Sequence, residues 1–400
     1  MIERVLLEEI VVEIRNGLDA EQVDQPSNGM LPISRIETIW NGTIDFERVK
    51  YANVSKKEID KYALKSGDIL FSHINSPEHI GKTGLYRSEQ TLIHGINLLL
   101  IRVDQEKCYP EYLDYYFKSK NVRALFRARC KKAVNQASLN QSDILALELP
   151  LPPLDEQKRI ASLLARADRL RGLRRAARRL ADSLLQSVFL EMFGHVRANE
   201  KKWELAKFED VCESRLGKML DEKKQTGKHK RKYLRNFNVQ WFQFDLSDIA
   251  EMDFDEKDRQ EFRLQYGDIL MCEGGEVGRC SIWKNQIEEC YFQKALHRIR
   301  PNPECVKSEY LVHLFWWLAQ TGGLGDFTSQ VTIAHLTGEK LKELVIPVPP
   351  LPLQEEFARV AARVEALRAR QAEAERQAEG LFQSLLALSF TEGLAQSFGE

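Results

Sequence analysis

Pro150-Leu151-Pro152-Pro153-Leu154-Asp155-Glu156-Gln157 introduces a stretch that runs without proline past Val196 and holds a single glycine, Gly172, before Gly194. Apolar residues return in alternating steps of three and four: Ile160, Leu163, Ala167 and Leu170, then, beyond Arg174, Ala177, Ala181, Leu184 and Val188. That spacing is a heptad seam, the pattern of a coiled-coil helix. Proline lacks a backbone donor and disfavours helix in the residue before it, so the helix is expected to begin after Pro153. Asp155 and Glu156 then place negative charge on the first turn, where the helix dipole favours it.

The stretch returns in the second half of the chain. Pro347-Val348-Pro349-Pro350-Leu351-Pro352-Leu353-Gln354 repeats the lead-in, and Gln354 answers Gln157 at a distance of 197 residues. The second seam is Phe357, Val360, Val364, Leu367, Gln371, Ala374, Ala378, Leu381, Leu385 and Leu388, and Phe357 to Leu385 each answer a first-seam residue 197 positions earlier. Both seams carry a polar residue near the middle, Arg174 and Gln371. The globular regions repeat as well. Leu64 to Ser72, around Gly67-Asp68-Ile69-Leu70, is matched 200 residues on by Leu264 to Cys272, and Gly17 by Gly217. Leu98 to Arg102 matches Leu296 to Arg300, and Glu111-Tyr112-Leu113 matches Glu309-Tyr310-Leu311, both at 198. The chain therefore reads as a tandem duplication: a globular domain over residues 1–153, a helix over 154–194, a second globular domain over 195–350 and a second helix over 351–400. Each globular domain is mixed, with short apolar strands between turns and a helix such as Tyr109 to Ala133, giving an α/β (α+β) class.

The 400 residues carry a net charge of −1, so nucleic-acid binding must come from local clusters. No apolar run reaches the roughly 18 residues of a membrane span. The first residues are too acidic for a signal peptide. Seven cysteines without a Cys-x-x-Cys pair suit a reducing cytoplasm and inert, buried thiols. No phosphate loop, dinucleotide fingerprint or amino-methyltransferase motif is present. His73, His79 and His94 lack partners at ligand spacing, so no metal site is expected. Asp68 and Asp268 are expected to cap turns, and Glu273-Gly274-Gly275-Glu276 to be a turn after a strand.

Two basic clusters stand out. Lys118, Lys120, Arg123, Arg127, Arg129, Lys131 and Lys132 are unbroken by any acid, and Asn135, Gln136 and Asn140 follow. In the second half, Lys218, Lys223, Lys224, Lys228, Lys230, Arg231, Lys232 and Arg235 are mixed with Asn236 and Asn238, against only Asp221 and Glu222. A charge run is often only a solvated face. Here each half has one, beside amides: Lys and Arg neutralise phosphates, and Arg, Asn and Gln can read base edges. The clusters fall at different repeat positions.

Two unlike globular domains, each closed by a Pro-x-Pro-Pro-Leu…Gln lead-in to a heptad helix, resemble the specificity subunit of type I restriction–modification systems. Pro150 to Ile160 and Pro347 to Phe357 carry the resemblance most specifically. It departs where Pro352-Leu353 replaces Asp155-Glu156, the acids returning at Glu355 and Glu356. The resemblance implies two target recognition domains, each reading half of a split double-stranded DNA site. It implies long helices that pair antiparallel, relate the domains by a pseudo-twofold axis, act as a ruler and hold two modification subunits. It further implies restriction subunits that complete the complex, with S-adenosylmethionine, ATP and Mg on these partners. The chain itself would be a non-catalytic cytoplasmic monomer within the complex. Competing readings are a structural coiled-coil scaffold that reads no DNA sequence, and a methyltransferase or nuclease with an unrecognised site. Residues 154–194 carry nine basic and five acidic side chains, and 351–400 five and eight, so the two helices are expected to pair with each other. Antiparallel pairing would set Arg174 against Gln371 as a register-fixing polar layer.

Overall fold

The computed structural model describes residues 3–76, 79–133, 136–221, 225–322 and 336–390, with side chains left aside at 132, 133, 136 and 182. The chain forms two compact units, residues 1–175 with 373–400, and residues 176–372. Each joins one globular domain to one half of each long helix. The helices run Leu154–Phe193 and Leu351–Ser389, and both start directly after a Pro-Pro pair, as the missing proline donor requires. None of the described helices is long and apolar enough to cross a membrane.

In the first unit, Arg4–Leu6 pairs antiparallel with Glu148–Pro150. In the second, Glu204–Lys207 pairs antiparallel with Val345–Val348. Each globular domain is thus closed where it hands the chain to its helix. Each contains one four-stranded antiparallel sheet. Its order is Val11–Asn16, Leu99–Val103, Ile69–Phe71, Thr83–Leu85 in the first unit. It is Cys212–Leu216, Leu296–Pro301, Ile269–Cys272, Cys280–Ile282 in the second. The Gly-Asp-Ile-Leu segments enter the inner strands of these sheets. Gly67 and Gly267 take φ of +95° and +91°, and Lys65 N and Gln265 N donate to Asp68 and Asp268 at 2.7 Å, the expected turn caps. Each cap also accepts a bidentate arginine from the neighbouring strand: Arg102 at 2.7 and 2.7 Å, Arg300 at 2.7 and 2.8 Å. Gly17 and Gly217 sit where a Cβ would lie 2.3 Å from the carbonyl oxygens of His94 and Gln293, which leaves room for glycine alone.

The expected helix Tyr109 to Ala133 is two helices, Pro110–Lys118 and Lys120–Arg129, followed by a strand at Lys131–Ala133. Ser119 leaves the helix at ψ 145° and caps the second helix by accepting from Val122 N at 3.4 Å.

Each long helix is latched to its globular domain by the glutamine of the repeated lead-in. Gln157 Oε1 accepts from Tyr109 N at 2.8 Å, and its Nε2 donates to the carbonyls of Lys107 at 3.0 Å and Pro152 at 2.8 Å. Gln354 repeats this with Lys307 N at 2.9 Å, Cys305 O at 3.1 Å and Pro349 O at 2.7 Å. Both side chains are buried. Beside the latch, Tyr112 and Tyr310 donate to the carbonyls of Pro150 and Pro347 at 2.7 and 2.8 Å.

Within each unit the helix halves pair antiparallel. In the first, Arg171 meets Glu379 and lies over Phe382, while Arg175 meets Glu379 and Glu375. In the second, Phe189 and Phe193 pack on Phe357, and Arg368 Nε donates to the Ala181 carbonyl at 3.2 Å. The buried stripe is partly rotated from the expected seam. Ile160, Ala167, Ala181, Phe357, Val364 and Ala378 are buried as expected, and Leu163, Val188, Val360 and Leu385 are half-buried. Leu170, Leu184, Leu367 and Leu381 are exposed, and Ala161, Leu164, Leu185, Phe189, Ala361, Phe382 and Leu386 fill the interior instead. The globular domains cover the helix flank as well as the partner helix, which turns the buried face about one position. The expected Arg174–Gln371 layer would join residues of different units, Arg174 in the first and Gln371 in the second. The polar contacts near mid-helix within the first unit are ionic: Arg171 to Asp168 at 2.5 Å and to Glu379 at 3.2 Å, and Arg175 to Glu379 at 2.9 Å. The two pairs to Glu379 join basic residues of the first helix to an acid of the second, as the charge difference anticipates.

Replacing Gln157 or Gln354 by Ala should cost about 2–4 kcal/mol, because each change leaves a backbone N–H and two carbonyls unmatched at a buried site. Thermal unfolding of the two variants measures it. A change within about 0.5 kcal/mol would show that the latch is dispensable.

Candidate DNA interface

The first unit's cluster lies on and after the helix Lys120–Arg129. Lys120, Arg127, Arg129 and Lys131 are exposed. Arg129 Nη1 donates to the Asp143 carbonyl at 3.2 Å, which ties the helix end to the following turn. Lys118 is drawn into the fold, its Nζ 2.5 Å from Asp114 Oδ2, so it is a weaker candidate for a phosphate contact than the sequence indicates. Arg123 is half-buried; burial and then the nearby Arg127 lower its pKa, and its Nε has no partner among the described residues. Lys131–Ala133 and Gln136–Ser138 form an antiparallel hairpin carrying Lys131, Lys132 and Gln136. Asn135 lies outside the described residues, as do Lys223 and Lys224 of the other cluster.

In the second unit, Lys228, Lys230 and Lys232 are exposed along a loop and the strand Lys230–Leu234. A strand alternates its faces, so Lys230 and Lys232 share one and Arg231 takes the other. Arg231 is half-buried and pairs with Glu289 at 3.2 Å. The strand borders an open groove of about 480 Å³, where Arg259 and Arg263 add positive charge against Glu251, Glu288 and Glu289.

Two of the amides expected to read bases, Asn236 and Asn238, are engaged in the fold. Asn238 is buried; its Oδ1 accepts from Arg235 N at 2.8 Å, and its Nδ2 donates to the carbonyls of Asp245 and Asp248 at 2.8 and 3.0 Å. Thr38 does the same work in the first unit, accepting from Arg35 N at 2.9 Å and donating to the Arg48 carbonyl at 2.8 Å. Comparing positions 38 and 238 across the repeat therefore marks a turn-holding site. Asn236 donates to the Gly274 carbonyl at 3.0 Å and accepts from Arg279 at 3.1 Å. Arg235 pairs with Asp248 at 2.7 Å and lies over Phe237, but stays half-exposed.

The loops that follow Gly17 and Gly217 occupy equivalent places and carry opposite charge. Residues 17–31 hold Asp19, Glu21 and Asp24 and no Lys or Arg, whereas the second loop leads from Lys218 to Lys230. The cationic surface of the first unit thus comes from another element. Sequence reasoning missed Asp253, which gathers residues 225–229 of the second loop; an acid 18 residues beyond Arg235 gives no local signal.

The remaining titratable groups favour structure over chemistry. Burial lowers the pKa of His94 and of His313 to about 4, which keeps both neutral. The cysteines are unpaired, and burial pushes the Cys108, Cys212 and Cys290 thiols up to about 12. No cluster of His, Cys, Asp and Glu able to hold a metal occurs among the described residues.

Among solved structures, the chain is similar to one from a type I R-M system described for its complex assembly and conformational transition, with TM-score 0.59, 20% identity and 98% of each chain covered. It is also similar to the type I restriction–modification S subunit from M. genitalium, with TM-score 0.58, 14% identity and 98% and 96% coverage. At these identities the likeness is one of fold. Among curated proteins, it is 47% identical over 171 residues to the protein named as the MjaX type I restriction enzyme specificity subunit of Methanocaldococcus jannaschii, covering 42% of this chain and 39% of that one. It is 28% identical over 200 residues to the EcoKI specificity subunit of Escherichia coli K12, covering 48% and 42%. The chain thus spans about two-fifths of the length of these relatives. The model of the type I restriction modification DNA specificity domain matches residues 6–177 and again 200–376. Two such matches, one on each repeat of the fold, take in most of the sequence, and the chain belongs to the type I restriction modification DNA specificity domain family.

Proposed function

We propose that this chain is the DNA-reading, non-catalytic subunit of a type I restriction–modification complex, and that its two halves read the two unlike parts of a bipartite double-stranded site. The observation that carries this is one specificity domain per unit, with cationic side chains supplied by different elements in each: Lys120, Arg127 and Lys131 in one, Lys228, Lys230 and Lys232 in the other. Surfaces built differently on one scaffold suit two different sequences. Methylation and cleavage fall to partner subunits that carry S-adenosylmethionine, ATP and Mg. Two modification subunits dock on the long helices of a single specificity chain. Beyond the residues buried inside each unit, the first helix presents exposed leucines at steps of three, seven and four, Leu170, Leu173, Leu180 and Leu184, with Leu180 71% exposed. A stripe of that kind suits burial against further helices.

Sequencing methylated adenines in cells that carry this chain and its modification subunit should yield a split site with two unlike halves. Exchanging residues 1–150 for those of a relative should change one half and leave the other. A continuous or perfectly palindromic site would overturn the two-domain assignment. Competition between selected and random duplexes separates this function from a scaffold, which would bind both equally.

The phosphate contacts give a second test. Changing Lys228, Lys230 and Lys232 together to Ala should weaken binding to all sequences alike. It should also flatten the salt dependence by about 0.9 for each phosphate no longer neutralised. Arg231 is spared because Glu289 already engages it. An unchanged slope returns these lysines to an ordinary solvated face.

A further inference from the structure

Asp253 ends the strand Ala250–Asp253 and lies against the loop that leads into Lys230–Leu234. Its side chain is buried, and it gathers that loop onto one carboxylate. Oδ2 accepts from Thr226 N, from Thr226 Oγ1 at 2.8 Å and from Gly227 N at 2.7 Å. Oδ1 accepts from His229 N at 3.1 Å. Gly227, at φ +75°, lets the chain curl so that these amides converge. The backbone of Asp253 joins in: its N–H donates to Gln225 Oε1 at 2.8 Å, and its carbonyl accepts from Lys218 Nζ at 2.6 Å. Loss of water around the carboxyl works to raise its pKa, but the donors outweigh this and hold it below the ordinary value, so it is charged at neutral pH.

For DNA affinity alone this carboxylate is unfavourable, since it places a negative charge on the neighbouring strand, opposite Lys230. What it supplies is a fixed loop. Non-specific affinity depends on how many phosphates are neutralised, whereas base readout depends on where side chains are held. The first unit lacks the device: Asn53 stands at the repeat position, and the corresponding loop is acidic.

We propose that Asp253 is a positioning residue that fixes loop 225–229 and thereby sets base discrimination at the half-site read by the second unit, without adding to DNA affinity. This rests on the DNA-reading function above. The test uses the full chain in its complex with the modification subunit, selecting from a duplex library randomised over both half-sites. Asp253→Asn replaces one acceptor oxygen by a donor. It should reduce enrichment at the second half-site by about 10- to 100-fold, equivalent to one or two base contacts. Enrichment at the first half-site, and the salt slope on a random duplex, should not change. Asp253→Glu should recover part of the loss. Thr226→Ala removes one donor without touching the strand and should give a smaller loss of the same kind, which keeps the test decisive where Asp253→Asn fails to fold. Full discrimination in a folded Asp253→Asn variant, or in Thr226→Ala where Asp253→Asn does not fold, would overturn the proposal. A wild-type chain that enriches no sequence would overturn the DNA-reading function itself, and this proposal with it, a result distinct from loss in the variants alone.

Discussion

The structure depends on one buried amide used twice. Gln157 and Gln354 each satisfy one backbone donor and two backbone carbonyls where a globular domain meets its helix. A buried carbonyl or N–H without a partner costs more than a made hydrogen bond contributes, so the latch specifies one arrangement. Glutamine suits it because its amide offers an acceptor and two donors on a reach long enough to leave the helix. The two prolines before it end the strand and start the helix, and the tyrosine hydroxyls of Tyr112 and Tyr310 satisfy a proline carbonyl nearby.

Once the latch sets the helix on its globular domain, the buried face follows from what surrounds it. Near its lead-in, each long helix packs against a globular domain on one side and its antiparallel partner on another. The interior is therefore apolar and aromatic there, with Phe189, Phe193 and Phe357 in one unit and Leu164, Phe382 and Leu386 in the other. In the first unit, Arg171 and Arg175 meet Glu375 and Glu379, part-buried and geometrically constrained. Such pairs add little stability when exposed, but they penalise like-charged alternatives and so help select the pairing partner.

The two halves show how one scaffold supports two surfaces. The sheet order, the aspartate–arginine pairs and the close-approach glycines are shared, because each answers a backbone requirement. Charge is not shared. The loop after Gly17 is acidic and the loop after Gly217 basic, and each half draws its cations from a different element. Such loops lie on the surface, where substitution meets few packing constraints.

The sequence by itself determined the duplication, the starts of both helices, the turn caps at Asp68 and Asp268 and the family, since these rest on local rules: proline geometry, heptad spacing, aspartate capping. It placed one seam position of most heptads correctly and misplaced the other by one residue, because pairs such as Leu163-Leu164 and Leu184-Leu185 offer two adjacent apolar residues, and only the neighbouring globular domain chooses between them. It assigned Asn236 and Asn238 to base reading, where tertiary structure commits them to turns. It overlooked Asp253, whose partners lie more than 20 residues away in the chain. The reason is common to all three: what a side chain meets, whether solvent, a packed neighbour or a backbone amide, is settled by which segments the fold brings together, and sequence spacing encodes only the segments themselves.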